Sequence, residues 1–140
     1  MSKKSEFNWY NYYEVGVELL DSKNDAKLRT AIGRFYYSAF LQTRDFLDEN
    51  KYYCNKTLKS NFKSKTGKVH GATIDICKYD KRLNSGSSKG KKLSRKLDYL
   101  KRCRRDVDYN LKNPPNLVIV ATRCKETSKE VFDIIENYFK

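Results

Sequence analysis

One arginine occupies a position that is unusual for a charged side chain. Arg104 falls on a stripe of helically spaced residues that is otherwise apolar; the other members are Leu93, Leu97, Leu100, Val107 and Leu111. An unpaired charge on such a face is costly, so Arg104 needs either a carboxylate or a place at a seam between two protomers. Asp108 lies one helical turn further along and could supply the carboxylate.

His70 is the only histidine in the chain, and histidine is the side chain best suited to exchanging protons near neutral pH. It follows a polar segment and opens a predicted short helix, where an exposed ring is ordinary. The positive end of a helix lowers the pKa of a histidine, which suits a base better than an acid. The sequence leaves both an ordinary surface role and a catalytic role open.

The cysteines do not have the spacing of a metal site. The chain has four of them, with no Cys-x-x-Cys pair, and these are Cys54, Cys77, Cys103 and Cys124. With a single histidine to assist, they are expected to be reduced thiols rather than zinc ligands. We expect neither a metal nor a cofactor.

The positive charge is concentrated in the middle of the chain. The whole sequence has 30 Lys and Arg against 17 Asp and Glu, a net charge of +13. Residues 51–105 alone contain 18 basic and 3 acidic residues, while the remainder is close to neutral. Such a block attracts polyanions, which favours nucleic acid as the partner.

Two basic stretches flank a predicted short helix, so they can meet at one end of the molecule. They comprise Lys56, Lys59, Lys63, Lys65 and Lys68, then Lys89, Lys91, Lys92, Arg95 and Lys96. They are either a solvated surface or a phosphate-binding surface, and the concentrated charge favours phosphate binding. Tyr53, beside Tyr52 and Lys51, is the best candidate for stacking on unpaired bases.

Hydrophobic periodicity predicts an all-α domain. Helical patterns cover about residues 8–20, 25–50, 69–79, 93–111 and 116–140. The segments 51–68 and 81–92 are predicted to be flexible basic loops, because Lys, Ser, Asn and Gly dominate them. Asn116 to Val120 could alternatively be a strand, because it contains β-branched residues. The length suits one domain over residues 1–140, built as a bundle of four to five helices.

No segment has the length of a membrane span. The longest aliphatic run is Leu117 to Ala121, whereas a span needs about 20 apolar residues. The N-terminal residues lack the apolar core of a signal peptide. We therefore expect a cytoplasmic protein that does not enter a membrane.

Three strings, in order along the chain, resemble the HEPN family of small helical proteins. Arg34 to Phe40 reads Arg-x-Tyr-Tyr-x-x-Phe, as in the family's second helix. Val69 to Gly71 is similar to the His-Gly start of its next helix. Leu100 to Tyr109 reads Leu-x-x-x-Arg-x-x-x-Asp-Tyr, which resembles its fourth helix. The order and spacing hold from about residue 10 to the end.

The resemblance implies an up-and-down bundle of four to five helices that forms a homodimer. It also implies RNA as partner, since many members are metal-independent ribonucleases of toxin–antitoxin or antiviral defence systems. In those members, an Arg and a His on the fourth helix act on RNA: the Arg stabilises phosphate charge and the His serves as acid or base. Other members partner a nucleotidyltransferase-like protein.

The chain departs from this pattern at the histidine. The family spacing from Arg104 or Arg105 leads to Asn110, which can hydrogen-bond to a phosphate or ribose but cannot exchange a proton near neutral pH. We therefore expect RNA binding and leave cleavage open. If the protein cleaves RNA, Arg104 or Arg105 would act with Asn110 holding the ribose, or with His70 recruited as the proton-transfer group.

Further residues are expected to support this site or to contact RNA. The expected supporting residues are Asp106, Asp108 and Tyr109. The expected RNA contacts are Arg34, Tyr53, Lys91, Lys92, Arg95, Lys101 and Arg102. Arg34 could instead reach a carboxylate of the fourth helix, and Tyr109 could pack at a dimer seam. The alternative function is a non-catalytic helical interaction protein that holds a nucleotidyltransferase-like partner.

Overall fold

The computed structural model describes residues 7–22, 24–109 and 116–138, and this part of the chain is helical with no strand. In chain order the helices are α1 Tyr10–Leu20, α2 Asp25–Asn50, α3 Lys56–Phe62, α4 Lys68–Tyr79, α5 Lys81–Asn84, α6 Lys89–Tyr109 and α7 Leu117–Tyr138. The predicted all-α class is confirmed. The described residues form seven helices rather than four or five, and α3 and α5 are short.

Helix α2 is the centre of the molecule and packs against α1, α4, α6 and α7. Its stripe of apolar and small residues is buried as predicted, apart from a half-buried Phe46; the buried members are Leu28, Ala31, Ile32, Phe35, Tyr36, Ala39, Phe40, Thr43 and Leu47. Asn24 begins the helix, because its side-chain oxygen accepts a hydrogen bond from the Lys27 amide. The buried face of α2 is therefore the surface on which α1, α4, α6 and α7 pack.

The prediction of a loop over 51–68 is wrong in part, because this segment contains α3. The Asn55 side chain accepts a hydrogen bond from the Leu58 amide at 2.9 Å, which starts the helix. Phe62, one turn further on, is buried in the core. A capping asparagine and two apolar residues four apart are enough to form a two-turn helix once the core covers them.

The prediction of a flexible loop over 81–92 is also wrong. Asp80 caps α5 through the Arg82 amide at 2.8 Å, and α6 begins at Lys89 rather than near residue 93. The Asn84 side chain ties the two helices together, since it accepts a hydrogen bond from the Lys91 amide at 2.9 Å. Gly90 lies against the Cys77 carbonyl oxygen, where a Cβ atom would overlap it. The polar composition of residues 81–92 gives no sign of this packing, which is why the sequence predicted a loop there.

Helices α6 and α7 pack against each other and against α2. The stripe of α6 is buried at Leu93, Leu97, Leu100 and Val107. Helix α7 begins at Leu117, so the alternative of a strand at its start is excluded. Leu111, the last predicted member of this stripe, lies outside the described residues. Within the described part of the chain, no helix is long and apolar enough to cross a membrane.

Candidate functional site

Arg104 lies among aromatic rings and is only partly neutralised. Its guanidinium carbon is 5.4 Å from the ring centres of both Tyr36 and Tyr37. Its Nη1 atom is 3.3 Å from the Asp108 carboxylate, so the ion pair considered from the sequence is present. The side chain is 18% exposed, and its Nε atom is buried with no hydrogen-bond partner. A buried unpaired donor is unusual in a folded protein.

His70 is half-buried against α2, so it is not the ordinary exposed residue that its position in the sequence allowed. Its Nδ1 atom is 2.6 Å from the hydroxyl oxygen of Tyr36. Its ring stacks on Phe40, with ring centres 4.3 Å apart and an angle of 15° between the planes. A hydrogen bond and a stacked ring together fix the orientation of the imidazole.

Tyr36 brings His70 and Arg104 together from two different helices. The tyrosine is fully buried on α2, with His70 of α4 at its hydroxyl and Arg104 of α6 over its ring. Phe40 follows one turn later and Arg44 another turn later, so all three residues of α2 lie on one face. We refer to Tyr36, Arg44, His70, Lys101 and Arg104 as the His70–Arg104 cluster.

The electrostatic surroundings of His70 are positive. Burial lowers the pKa of His70, and the charges of Arg104, Lys101 and Arg44 lower it further, in that order. His70 is therefore neutral at pH 7. Arg44 is paired with Asp45 at 3.3 Å, while Arg104 is held by Asp108, which is itself partly exposed. A cluster of donors and cations with its carboxylates already paired is suited to an oxyanion.

The other site residues that the sequence predicted on α6 do not lie together in this cluster. Arg105 and Asp106 are exposed, so Arg104 is the arginine that faces the aromatic rings. Tyr109, at the end of the described part of α6, is 73% exposed. Asn110, which was expected to hold the ribose, lies outside the described residues.

Two of the expected RNA contacts already have partners within the chain. Arg34 is exposed and lies 5.2 Å over the Tyr12 ring, so it does not reach a carboxylate of α6. The Tyr53 hydroxyl donates a hydrogen bond to Asp48 at 2.8 Å. The Tyr53 ring is also approached by the ammonium groups of Lys59 and Lys63, at 5.1 Å and 5.3 Å from its centre, where a base would stack.

The remaining expected RNA contacts are distributed over several surfaces. Lys92 and Arg95 line a groove of about 840 Å³ between α6 and α7, whose other wall carries acidic side chains. Lys91 and Arg95 border a second groove beside α4. Arg102 is paired with Asp98 at 3.3 Å, and Lys101 belongs to the His70–Arg104 cluster. Of this set, only Lys101 acts on the charge of His70.

Sequence reasoning missed Tyr36 and Arg44 as site residues. Their four-residue spacing through Phe40 could have indicated a shared helix face. That they face His70 could not be inferred, because this depends on how α4 packs on α2. Within the described residues, no group of three or more potential ligands could hold a metal ion.

Comparisons with known proteins do not identify a function. The chain is 29% identical over 138 residues to the uncharacterized protein MJ0628 of Methanocaldococcus jannaschii, a match that covers 95% of this chain and 76% of that protein. No family model matches the chain. No solved structure matches it either.

Proposed function

We propose that this chain is an RNA-binding protein of the HEPN type and that the His70–Arg104 cluster holds a phosphate of the RNA. The observation that carries this proposal is the convergence of Arg104 and His70 on Tyr36. Arg104 keeps a buried Nε donor without a partner, and His70 is surrounded by cations. A phosphate supplies the negative charge that this arrangement lacks, and the partly exposed side chain of Arg104 can donate to it.

The surface beside the cluster supports the same proposal. A groove of about 480 Å³ is lined by Arg44, Lys63 and Lys65 and by the carboxylates Asp45 and Asp48, which pair with Arg44 and Lys63. Arg44 belongs to both the groove and the cluster. A groove that adjoins the proposed phosphate site and has more basic than acidic residues is suited to the backbone of a single strand. The block of positive charge over residues 51–105 would add long-range attraction.

The family resemblance extends this proposal to assembly and setting. We propose that the five longer helices, α1, α2, α4, α6 and α7, form a HEPN-like bundle. We further propose that the protein forms a homodimer, acts in the cytoplasm and takes part in toxin–antitoxin or antiviral defence. Exposed Tyr109, Val118 and Ile119, near the end of α6 and the start of α7, support a protein contact at that end. Metal-independent cleavage would use Arg104 and His70 of the same chain.

The experiment is a salt titration of RNA binding followed by fluorescence anisotropy. It compares the native protein with Arg104→Met, and uses Arg102→Met as the control because Arg102 is an exposed, ion-paired arginine on the same helix. We expect Arg104→Met to bind more weakly and to lower the slope of log affinity against log salt by about 0.7, as for one lost phosphate contact on a single strand. Equal binding by the native protein and Arg104→Met would overturn the proposal.

The same samples, incubated with RNA and EDTA, separate binding from cleavage. Cutting by the native protein that is absent in Arg104→Met would establish a metal-independent ribonuclease. The second candidate function, a non-catalytic protein that holds a nucleotidyltransferase-like partner, is favoured by exposed Tyr109, Val118 and Ile119. It would give tight, salt-insensitive binding of the partner protein, together with weak RNA binding that neither arginine variant changes.

A further inference from the structure

The hydrogen bond between Tyr36 and His70 determines where the histidine carries its proton. The Tyr36 hydroxyl is fully buried, and within residues 7–22, 24–109 and 116–138 its only hydrogen-bond partner is His70 Nδ1 at 2.6 Å. Burial strongly raises the pKa of Tyr36, so the phenol keeps its hydrogen. A buried hydroxyl hydrogen without an acceptor is costly, and Nδ1 is the available acceptor.

A nitrogen that accepts a hydrogen bond carries no hydrogen of its own. When His70 is neutral, its hydrogen must therefore be on Nε2, because Nδ1 is occupied by the bond from Tyr36. Protonating Nδ1 as well would place two hydrogens between this nitrogen and the tyrosine oxygen. The hydrogen bond thus opposes the charged form of His70, in the same direction as burial and the neighbouring cations.

The charges that act on His70 are positive. Arg104 of α6 lies over the ring of Tyr36, the hydrogen-bond partner of His70, and the charges of Lys101 and Arg44 also act on the imidazole. The carboxylates beside these arginines are engaged: Asp108 with Arg104, and Asp45 with Arg44 and with the indole of Trp9. Nε2 itself has no partner within the described part of the chain. His70 therefore lies in positive surroundings, with no free acceptor for Nε2 among the described residues.

We propose that Tyr36 fixes His70 as an Nε2–H donor, so that His70 and Arg104 form a receptor that offers only donors to one phosphoryl oxyanion. The inference rests on the proposed function for the identification of RNA as the source of that phosphate. Tyr36 is a positioning residue, because it acts through His70 rather than on the bound group.

The fixed proton position limits what His70 can do. An Nε2 atom that carries hydrogen has no lone pair in the ring plane, so it cannot accept the proton of a ribose 2′-hydroxyl. It can donate a hydrogen bond to a phosphate oxygen, alongside the guanidinium of Arg104. The resting cluster is therefore a binding site, and cleavage by His70 as a base would require the proton to move to Nδ1.

The presence of a single histidine makes a direct test available. Long-range ¹⁵N–¹H correlation spectra of uniformly ¹⁵N-labelled native protein show only one imidazole, that of His70, and the two ring nitrogens report the tautomer. We expect a protonated Nε2 and an unprotonated Nδ1 above the pKa of His70. A protonated Nδ1, or an even mixture of tautomers, would overturn the proposal.

Inorganic phosphate is the probe for the receptor. We expect its addition to shift the Nε2 resonance in a saturable way and to raise the pKa of His70, because the added negative charge favours the imidazolium. Arg104→Met should keep the Nε2–H tautomer of His70 but weaken the affinity for phosphate about tenfold, as expected for a lost charge-assisted hydrogen bond. A phosphate response that is absent in the native protein, or unchanged in Arg104→Met, would contradict the receptor.

Tyr36→Phe tests the positioning role, and Tyr37→Phe is its matched control. Both variants keep the aromatic ring near Arg104, but only Tyr36→Phe removes the hydroxyl at His70. Tyr36→Phe should give mixed tautomers and a higher His70 pKa, whereas Tyr37→Phe should behave as the native protein. If Tyr36→Phe has the native circular dichroism spectrum and His70 in it keeps the native tautomer, the role of Tyr36 is refuted.

The outcomes separate this inference from the proposed function. A saturable phosphate response in a protein that binds no RNA would retain the receptor and reject RNA as the partner. RNA binding that depends on Arg104, together with a protonated Nδ1, would retain RNA binding and reject the fixed Nε2–H donor.

Discussion

Replacing Arg104 by methionine should leave the folded protein about as stable as it is now. The side chain is mostly buried, and methionine keeps the packing of its aliphatic stem. The change loses ring contacts worth about 1–2 kcal/mol and a partly exposed ion pair with Asp108 worth about 0.5 kcal/mol. It also removes the buried Nε donor, whose missing partner costs about 1–3 kcal/mol. The two losses and the gain in the free energy of unfolding therefore cancel to within about 1 kcal/mol.

The assay is urea unfolding of the native protein and Arg104→Met, followed by circular dichroism. A difference of about 1 kcal/mol or less is expected, which corresponds to a change in Tm of about 4 °C or less for a domain of this size. A loss of about 3 kcal/mol or more, as seen when one partner of a buried ion pair is removed, would show that Arg104 is a structural residue. Arg104 would then be a residue that stabilises the fold, and not one that is available to bind a ligand.

Three further predictions concern other parts of the molecule. Cys103 should react with iodoacetamide at a lower pH than an ordinary thiol, because its hydrogen bond with the Cys124 thiol, the largest influence, lowers its pKa; mass spectrometry across a pH series would locate the midpoint. Gly90→Ala should lower the free energy of unfolding by about 1–3 kcal/mol, because the added Cβ overlaps the Cys77 carbonyl oxygen; urea unfolding would measure the loss. Stability should decrease as the pH falls below 6.5, because unfolded His70 takes up a proton there while folded His70, with its lowered pKa, resists it; His70→Phe should lack this decrease in urea midpoints.

Each of these predictions has a result that would contradict it. Cys103 that is alkylated only at the pH of an ordinary thiol would show that its hydrogen bond is absent. Gly71→Ala is the control for Gly90, because Gly71 lies in α4 with open space around it and alanine there should raise stability by about 0.5–1 kcal/mol. Equal effects at the two glycines would refute the steric argument. A native protein whose stability is constant just below pH 6.5 would refute the lowered pKa of His70.

The sequence predicted the parts of this structure that depend on repeated local patterns. The stripe of α2 and the unusual placement of Arg104 on α6 both follow from helical periodicity. Helices α3 and α5 were missed because each has a single buried residue and depends on a capping side chain, Asn55 or Asp80. Short helices of this kind are stable only in contact with the core, which no local pattern reveals.

The candidate site was predictable in its residues but not in its arrangement. Arg104, His70 and Lys101 were all candidates from the sequence, yet nothing in the sequence placed His70 of α4 beside Arg104 of α6. That contact is formed by Tyr36 across 34 residues of sequence, and it depends on the packing of three helices. The family spacing left both Arg104 and Arg105 as candidates, and the structure shows that Arg104 is partly buried whereas Arg105 is exposed.

The most direct test of the central claim follows the Nε2 resonance of His70 while an unstructured RNA oligonucleotide is added. The His70–Arg104 cluster is proposed to hold an RNA phosphate, so the resonance should shift and saturate over the RNA concentrations at which anisotropy shows binding. Arg104→Met should lose this shift. RNA that binds while the His70 signal stays unchanged would contradict the claim and place the RNA surface elsewhere on the molecule.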